Sequence, residues 1–177
     1  YVVAEQYGTL ETLYPNRVEL GLGRAPGTDM QTAAALRRGR NSLDFPAEIA
    51  ELRGYFKDCN PVSAYPSAGL NIPFYILGSS TESAYLAAEL GLPYAFASHF
   101  APRMMEMAVE IYRKNFKPST YLAEPYVILG VNAIVAETDK EARQLATTQT
   151  LFFLNVVTNA QQNLQPPMAS EEDVWKA

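Results

Sequence analysis

Two short stretches of this 177-residue chain place anion-binding groups where the backbone must turn. "GSSTES" (78–83) follows an apolar run and leads straight into a helical pattern. Gly78 permits a tight turn. Ser79, Ser80 and the residues after them then present backbone N–H groups at a helix N-terminus, where the helix dipole also favours an anion. Ser80 or Thr81 adds a hydroxyl. The same residues also read as an ordinary helix cap, a role Ser and Thr often fill. "LGLGRAPG" (20–27) ends another apolar run. Gly21 and Gly23 remove side chains, so a flat or bulky ligand can approach the backbone. The guanidinium of Arg24 suits bidentate contact with a phosphate. The alternative is glycines at a bend and an arginine paired with an acidic neighbour. The dinucleotide pattern GxGxxG does not apply, because the third glycine falls one place late and no helix opens there. An arginine on one strand tip and an amide cup on the next favour a phosphate site more than either does alone.

His99, the one histidine, ends a third apolar run in "FASHF". It is a candidate catalytic acid/base, or else a hydrogen-bonded structural group. No metal-ligand cluster, carboxylate pair or GxSxG accompanies it. Cys59 is the one cysteine, which excludes an internal disulfide or a cysteine-based zinc site. It reads as a buried or incidental thiol. Asn132, polar among apolar neighbours, needs a partner, either in the fold's interior or on a ligand.

The elements that must position these groups alternate. Residues 2–17 read as a helix with Val3, Leu10 and Leu13 on one face, closed by Pro15-Asn16. A strand follows over 17–25, then an irregular stretch with a short helix around 32–38. Residues 43–56 are helical, with Asp44 as cap, Pro46 in the first turn and Ile49, Leu52 and Phe56 inward. A strand over 72–78 leads to a helix over 81–90, which Gly91 stops. A strand over 94–98 leads to a helix over 101–118, with Met105, Ala108, Val109, Tyr112 and Phe116 inward. Residues 125–137, apolar on both alternating faces, suit a strand covered on both sides. "TDKE" (138–141) is a capping box for a last helix to about residue 155, with Ala142, Leu145, Phe152 and Val156 inward. Strands alternating with helices imply parallel βαβ units, hence an α/β fold with function at the carboxyl ends of the strands.

A chain that is 48% hydrophobic and 19% charged can bury a core. Its net charge of −5 argues against nucleic acid, which needs clustered bases. The one basic cluster, "LRRGR" (36–40), reads as a solvated helix end. No apolar run has the length of a membrane span and no charged-then-apolar leader opens the chain, so a cytoplasmic location without a membrane partner is expected. The chain starts at Tyr1, inside a helical pattern, and is expected to be a piece of something larger.

Three stretches, "AEQYGTLETLYPNRVELGLGRAPGTD" (4–29), "IPFYILGSSTESAYLAAELGLPYAFASHFAP" (72–102) and "PYVILGVNAIVAETDKEAR" (125–143), resemble the bacterial luciferase-like flavin-dependent monooxygenases. The likeness is to their small non-luminescent oxidoreductase branch. It implies a (β/α)8 TIM barrel that takes reduced FMN from a separate flavin reductase and uses O2 to oxidise a small organic substrate. It also implies that Arg24 holds the FMN phosphate with Ser79, Ser80 and the turn after Gly78. Ser83 supplies a closing amide, and Gly23 lies beneath the flavin ring, where the luciferases proper have a cysteine. A deazaflavin in place of FMN is the alternative cofactor.

Such a barrel needs about 200 residues or more. The four strands here resemble the family's fourth to seventh, so the expectation is a partial barrel of about four parallel βα units. It would span residues 1–160, followed by a loosely ordered polar tail over 161–177. It would hold the phosphate half of a flavin site and have little activity alone. The competing reading is a non-enzymatic, shortened flavin- or phosphate-binding relative. Half a barrel leaves two open sheet edges, so self-association as a homo-oligomer, a dimer that pairs edges or shares a core, is expected.

Overall fold

The computed structural model describes residues 1–25, 30–36, 44–99, 101–158, 160 and 162–176. Most of the basic cluster at 36–40 and the end of the glycine-rich tip after Ala25 lie outside the described residues. The chain forms two compact units, Tyr1–Gly130 and Val131–Ala177.

The first unit carries helix α1 (Val2–Leu13), strand β1 (Leu20–Leu22) and helices α2 (Met30–Leu36) and α3 (Phe45–Phe56). Strand β2 (Phe74–Gly78), helix α4 (Thr81–Leu90), strand β3 (Tyr94–Phe96), helix α5 (Met105–Asn115) and strand β4 (Val127–Leu129) follow. A 3-10 turn, Pro102–Met104, opens α5. The sheet is wholly parallel, in the order β1-β2-β3-β4, as consecutive βα units require. This is part of a (β/α) barrel, left unclosed.

The register separates two faces. Leu20, Phe74, Ile76, Tyr94 and Phe96 are buried on the helix-covered face. Gly21, Leu77 and Ile128 alternate with them and are exposed. Tyr94 stacks on Tyr112 of α5 with centroids 5.4 Å apart, and Tyr112 meets Phe116 edge-on at 5.6 Å. Ala84, Ala87 and Ala88 of α4 are fully buried, and Ala108 of α5 is too. These small side chains let the two helices approach closely.

The stops and starts follow local chemistry. The carboxylate of Asp44 accepts from the Ala47 amide and caps α3. Gly91 ends α4 at φ 59°, a left-handed conformation that glycine adopts without strain. The Tyr112 hydroxyl donates to the Leu92 carbonyl (2.9 Å) and accepts from the Tyr126 amide (3.1 Å), tying α5 to the entries of β3 and β4.

Expectations about faces and lengths fail in both units. In α1, Val3, Leu10 and Leu13 are exposed, and the buried face is Ala4, Gly8 and Glu11. Gly8 lies so close to Ser67 that a Cβ there would stand 2.6 Å from its Cα. The contact is made by the helix's smallest residues, which a count of large apolar side chains overlooks. The strand expected over 125–137, covered on both sides, is only Val127–Leu129, and Val131 and Val135 are more than 80% exposed. β3 is itself three residues long and, among the described residues, is the only strand β4 pairs with, so the ladder ends with it. Of the two readings of Cys59, exposure excludes the buried one and leaves the incidental one; its thiol lies 3.6 Å from the Gly54 carbonyl oxygen.

The second unit holds α6 (Asp139–Val157) and α7 (Glu171–Lys176), which pack together. The Thr138 hydroxyl accepts from the Glu141 amide at 3.2 Å and caps α6. Leu145, Phe152 and Val156 are exposed rather than inward. The buried face carries Thr147 and Leu151. Thr147 selects it, because its hydroxyl donates to Gln144 (2.6 Å) and accepts from the Met168 amide (2.8 Å). Asn132 lies outside any strand and is exposed.

Candidate functional site

A cavity of about 430 Å³ opens at the carboxyl ends of β1 and β2. Gly23 and Arg24 reach it from the tip of β1, and Gly78, Ser79, Ser80 and Ser83 from the β2–α4 turn. These six residues, which the family resemblance assigns to the cofactor, therefore line one cavity, whereas Gly21 and Thr81 do not line it. His99 does not line it. It sits past the end of β3, exposed, with Nδ1 packed against the Gly130 backbone at the end of β4.

Glycine is needed at position 78 for a packing reason. A Cβ there would run into the Cβ and Oγ of Ser83. Gly23 differs, because a Cβ there would meet Leu77 at 3.4–3.6 Å, an ordinary contact. Packing within the chain leaves room there, which fits a position kept small for a bulky ligand.

The β2–α4 turn is built in an unusual way. Ser80 holds the N-cap position with extended backbone (φ −133°, ψ 166°), but its hydroxyl bonds none of the first helical amides. The turn is held instead through the Ser80 carbonyl, which accepts from the Ser83 hydroxyl at 2.7 Å and the Tyr94 hydroxyl at 3.1 Å. The carboxylate of Glu82, two residues past Ser80, also lines the cavity. The Ser80 side chain, then Glu82's own amide, and the nearby positive charge of Arg24 hold the Glu82 carboxyl below the ordinary carboxylate range.

Phe45, Leu77 and Leu86 add apolar wall to the polar floor. The site can thus take a group with an anionic end and a flat apolar body. Sequence reasoning missed Glu82, Tyr94 and these walls. Leu77 was legible as the residue opposite Ile76 in strand alternation. Glu82 was legible as a carboxylate in the first turn after the cup. Nothing local marked Tyr94, whose hydroxyl reaches the turn only through the pairing of β2 with β3.

Among the described residues, no group of three His, Cys, Asp or Glu could hold a metal ion, and no helix is long and apolar enough to cross a membrane.

Comparison with known proteins agrees with the fold. The family model for luciferase-like monooxygenase matches residues 1–176. The uncharacterised protein YvbT of Bacillus subtilis is 51% identical over 98% of this chain and 53% of its own length. The luciferase-like monooxygenase of Escherichia coli K12 is 48% identical, again over 98% of this chain and 53% of its own length. The crystal structure of apo-MsnO8 superposes with a TM-score of 0.82 at 33% identity, over 99% of this chain and 52% of that one. The chain spans about half the length of the curated relatives it matches. It belongs to the luciferase-like monooxygenase family.

Proposed function

We propose that this chain forms the cofactor-phosphate half of a flavin-dependent monooxygenase that oxidises a small organic substrate with O2. The observation that carries the reading is the gathering of Gly23, Arg24, Gly78, Ser79, Ser80 and Ser83 around one cavity at the strand tips. In this reading Arg24 pairs with the FMN phosphate, the turn after Gly78 offers amides to it, and Gly23 leaves space for the ring. The residues fit the group: an arginine, a serine-rich turn at a helix N-terminus and a glycine where an added Cβ would make only ordinary contacts line one cavity. Bound reduced flavin would supply the electrons for O2 activation. The chain's own residues bind and orient its phosphate end. A separate reductase supplies the reduced flavin.

The test is a titration of the 177-residue chain with FMN and with riboflavin. FMN should bind more tightly, and Arg24→Ala should weaken it by about 1.5–3 kcal/mol, the worth of a charged hydrogen bond. Riboflavin affinity should not change. Equal affinities for the two flavins, or an Arg24→Ala variant like the parent, would sink the phosphate assignment. His99 is retained as the acid/base candidate of the same active centre. Because it lies outside the cavity, His99→Gln should leave FMN affinity unchanged, and a loss of affinity would move it into the binding site.

A non-enzymatic flavin- or phosphate-binding role is the second reading. It is favoured by the open barrel, in which, among the described residues, the sheet face at Leu77 and Ile128 is exposed. Oxygen consumption with reduced FMN that no candidate organic substrate alters would support it.

A further inference from the structure

The anion cup contains a negative charge of its own. Glu82 lies in the first turn of α4, two residues past the N-cap, and lines the same cavity as Arg24, Ser79, Ser80 and Ser83. Its carboxylate shares that cavity with the Ser80 hydroxyl and the Arg24 guanidinium, and their nearness holds it below the ordinary carboxylate range. Those are two of the groups that an incoming phosphate would use. The Ser80 backbone is pinned separately, through its carbonyl, by Ser83 and Tyr94. The Glu82 carboxylate can therefore swing away by side-chain rotation while the turn keeps its shape.

We propose that Glu82 is an internal competitor for the anion site, which a ligand phosphate must displace from Ser80 and Arg24 before it can bind. This rests on the phosphate reading above and adds a specificity to it. A singly charged ligand exchanges one anion for another and gains little. A terminal monoester phosphate, carrying close to two charges at neutral pH, gains more from Arg24 and the helix N-terminus than the carboxylate gave up. The site should therefore favour a flavin with a terminal monoester phosphate over one whose phosphate is esterified twice.

The opposite role is a support, in which Glu82 holds Ser80 and Arg24 in the geometry the ligand needs. Glu82→Gln separates the two, since it removes the charge and keeps the shape. Its position is exposed, so folding should be untouched. FMN and riboflavin are titrated into the 177-residue chain and into Glu82→Gln by flavin fluorescence. Competition predicts that the variant binds FMN roughly two- to tenfold more tightly, the scale of one exposed like charge removed. Riboflavin affinity should stay the same. Unchanged or weaker FMN binding overturns the proposal, and so does a parallel tightening of riboflavin. If neither protein prefers FMN to riboflavin, the phosphate reading fails and this inference falls with it.

Discussion

The Ser83 hydroxyl lies 3.0 Å from the Tyr94 hydroxyl, and both reach the Ser80 carbonyl. Two protons serve three contacts. One proton must therefore be shared, or one contact must carry no hydrogen bond. The Ser80 carbonyl thus has two hydroxyls within reach, either of which can donate to it. Through this latch, Tyr94 of β3 fixes a turn that starts from β2. The amides of the cup are positioned by the sheet rather than by the loop's own preference.

The redundancy has a measurable consequence. Ser83→Ala and Tyr94→Phe each leave the Ser80 carbonyl one donor, so each should cost only about 0.5–1.5 kcal/mol of stability. The double variant removes both donors. Its cost should exceed the sum of the two, with a coupling of at least about 0.5 kcal/mol. Chemical denaturation of the four proteins reads this directly. Strict additivity would mean that the two hydroxyls act on the turn independently.

The order of elements was legible because the punctuation was explicit. Asp44, Gly91 and Thr138 mark helix ends through their own bonds or backbone geometry, and all three do so here. The cavity lining was legible for a similar reason, since its residues adjoin strand ends. What failed were faces and lengths. α1 turns on Gly8 against Ser67, and α6 turns on Thr147 against Met168. Both contacts depend on residues distant in the chain, and neither uses a large apolar side chain. The apolar run 125–137 described what could be covered, whereas β4 extends only as far as β3 pairs with it. The role of Glu82 was hidden because an acidic residue in a first helical turn is ordinary, and only the convergence with Arg24 makes it competitive.

Burial of Tyr94 and Tyr112 leads to a prediction at alkaline pH. Burial raises both phenol pKa values above 10, the ordinary value, because the charged form would lose its water. Above pH 10 the unfolded chain releases these protons more readily than the folded one. The stabilisation is therefore complete below about pH 10 and is lost as pH rises through the raised values. Melting temperature should hold up to about pH 10 and then fall. Tyr112→Phe should fall less steeply, although it starts lower by about 1–3 kcal/mol because the Leu92 carbonyl and Tyr126 amide lose their partner. A variant with the same alkaline slope as the parent would assign the loss to other groups.

The sheet itself supports the expectation of self-association. β1 pairs with β2 and β4 pairs with β3, so among the described residues both outer strands have an unpaired side. The face that carries Gly21, Leu77 and Ile128 is also open. An unpaired parallel edge beside exposed apolar residues invites a second sheet. A two-fold axis parallel to the strands meets the need economically, because it sets β1 of one copy beside β4 of the other twice over. All strands stay parallel, and eight strands enclose an interior that side chains can fill. An axis perpendicular to the strands would instead pair like edges antiparallel and leave the other two open. We therefore expect sedimentation velocity to show a concentration-dependent dimer. Ile128→Lys, which puts a charge on the shared interior face, should shift it to monomer while helix content by circular dichroism is unchanged. A monodisperse monomer across the whole concentration range would contradict the expectation, and a dimer insensitive to Ile128→Lys would place the contact away from the open face.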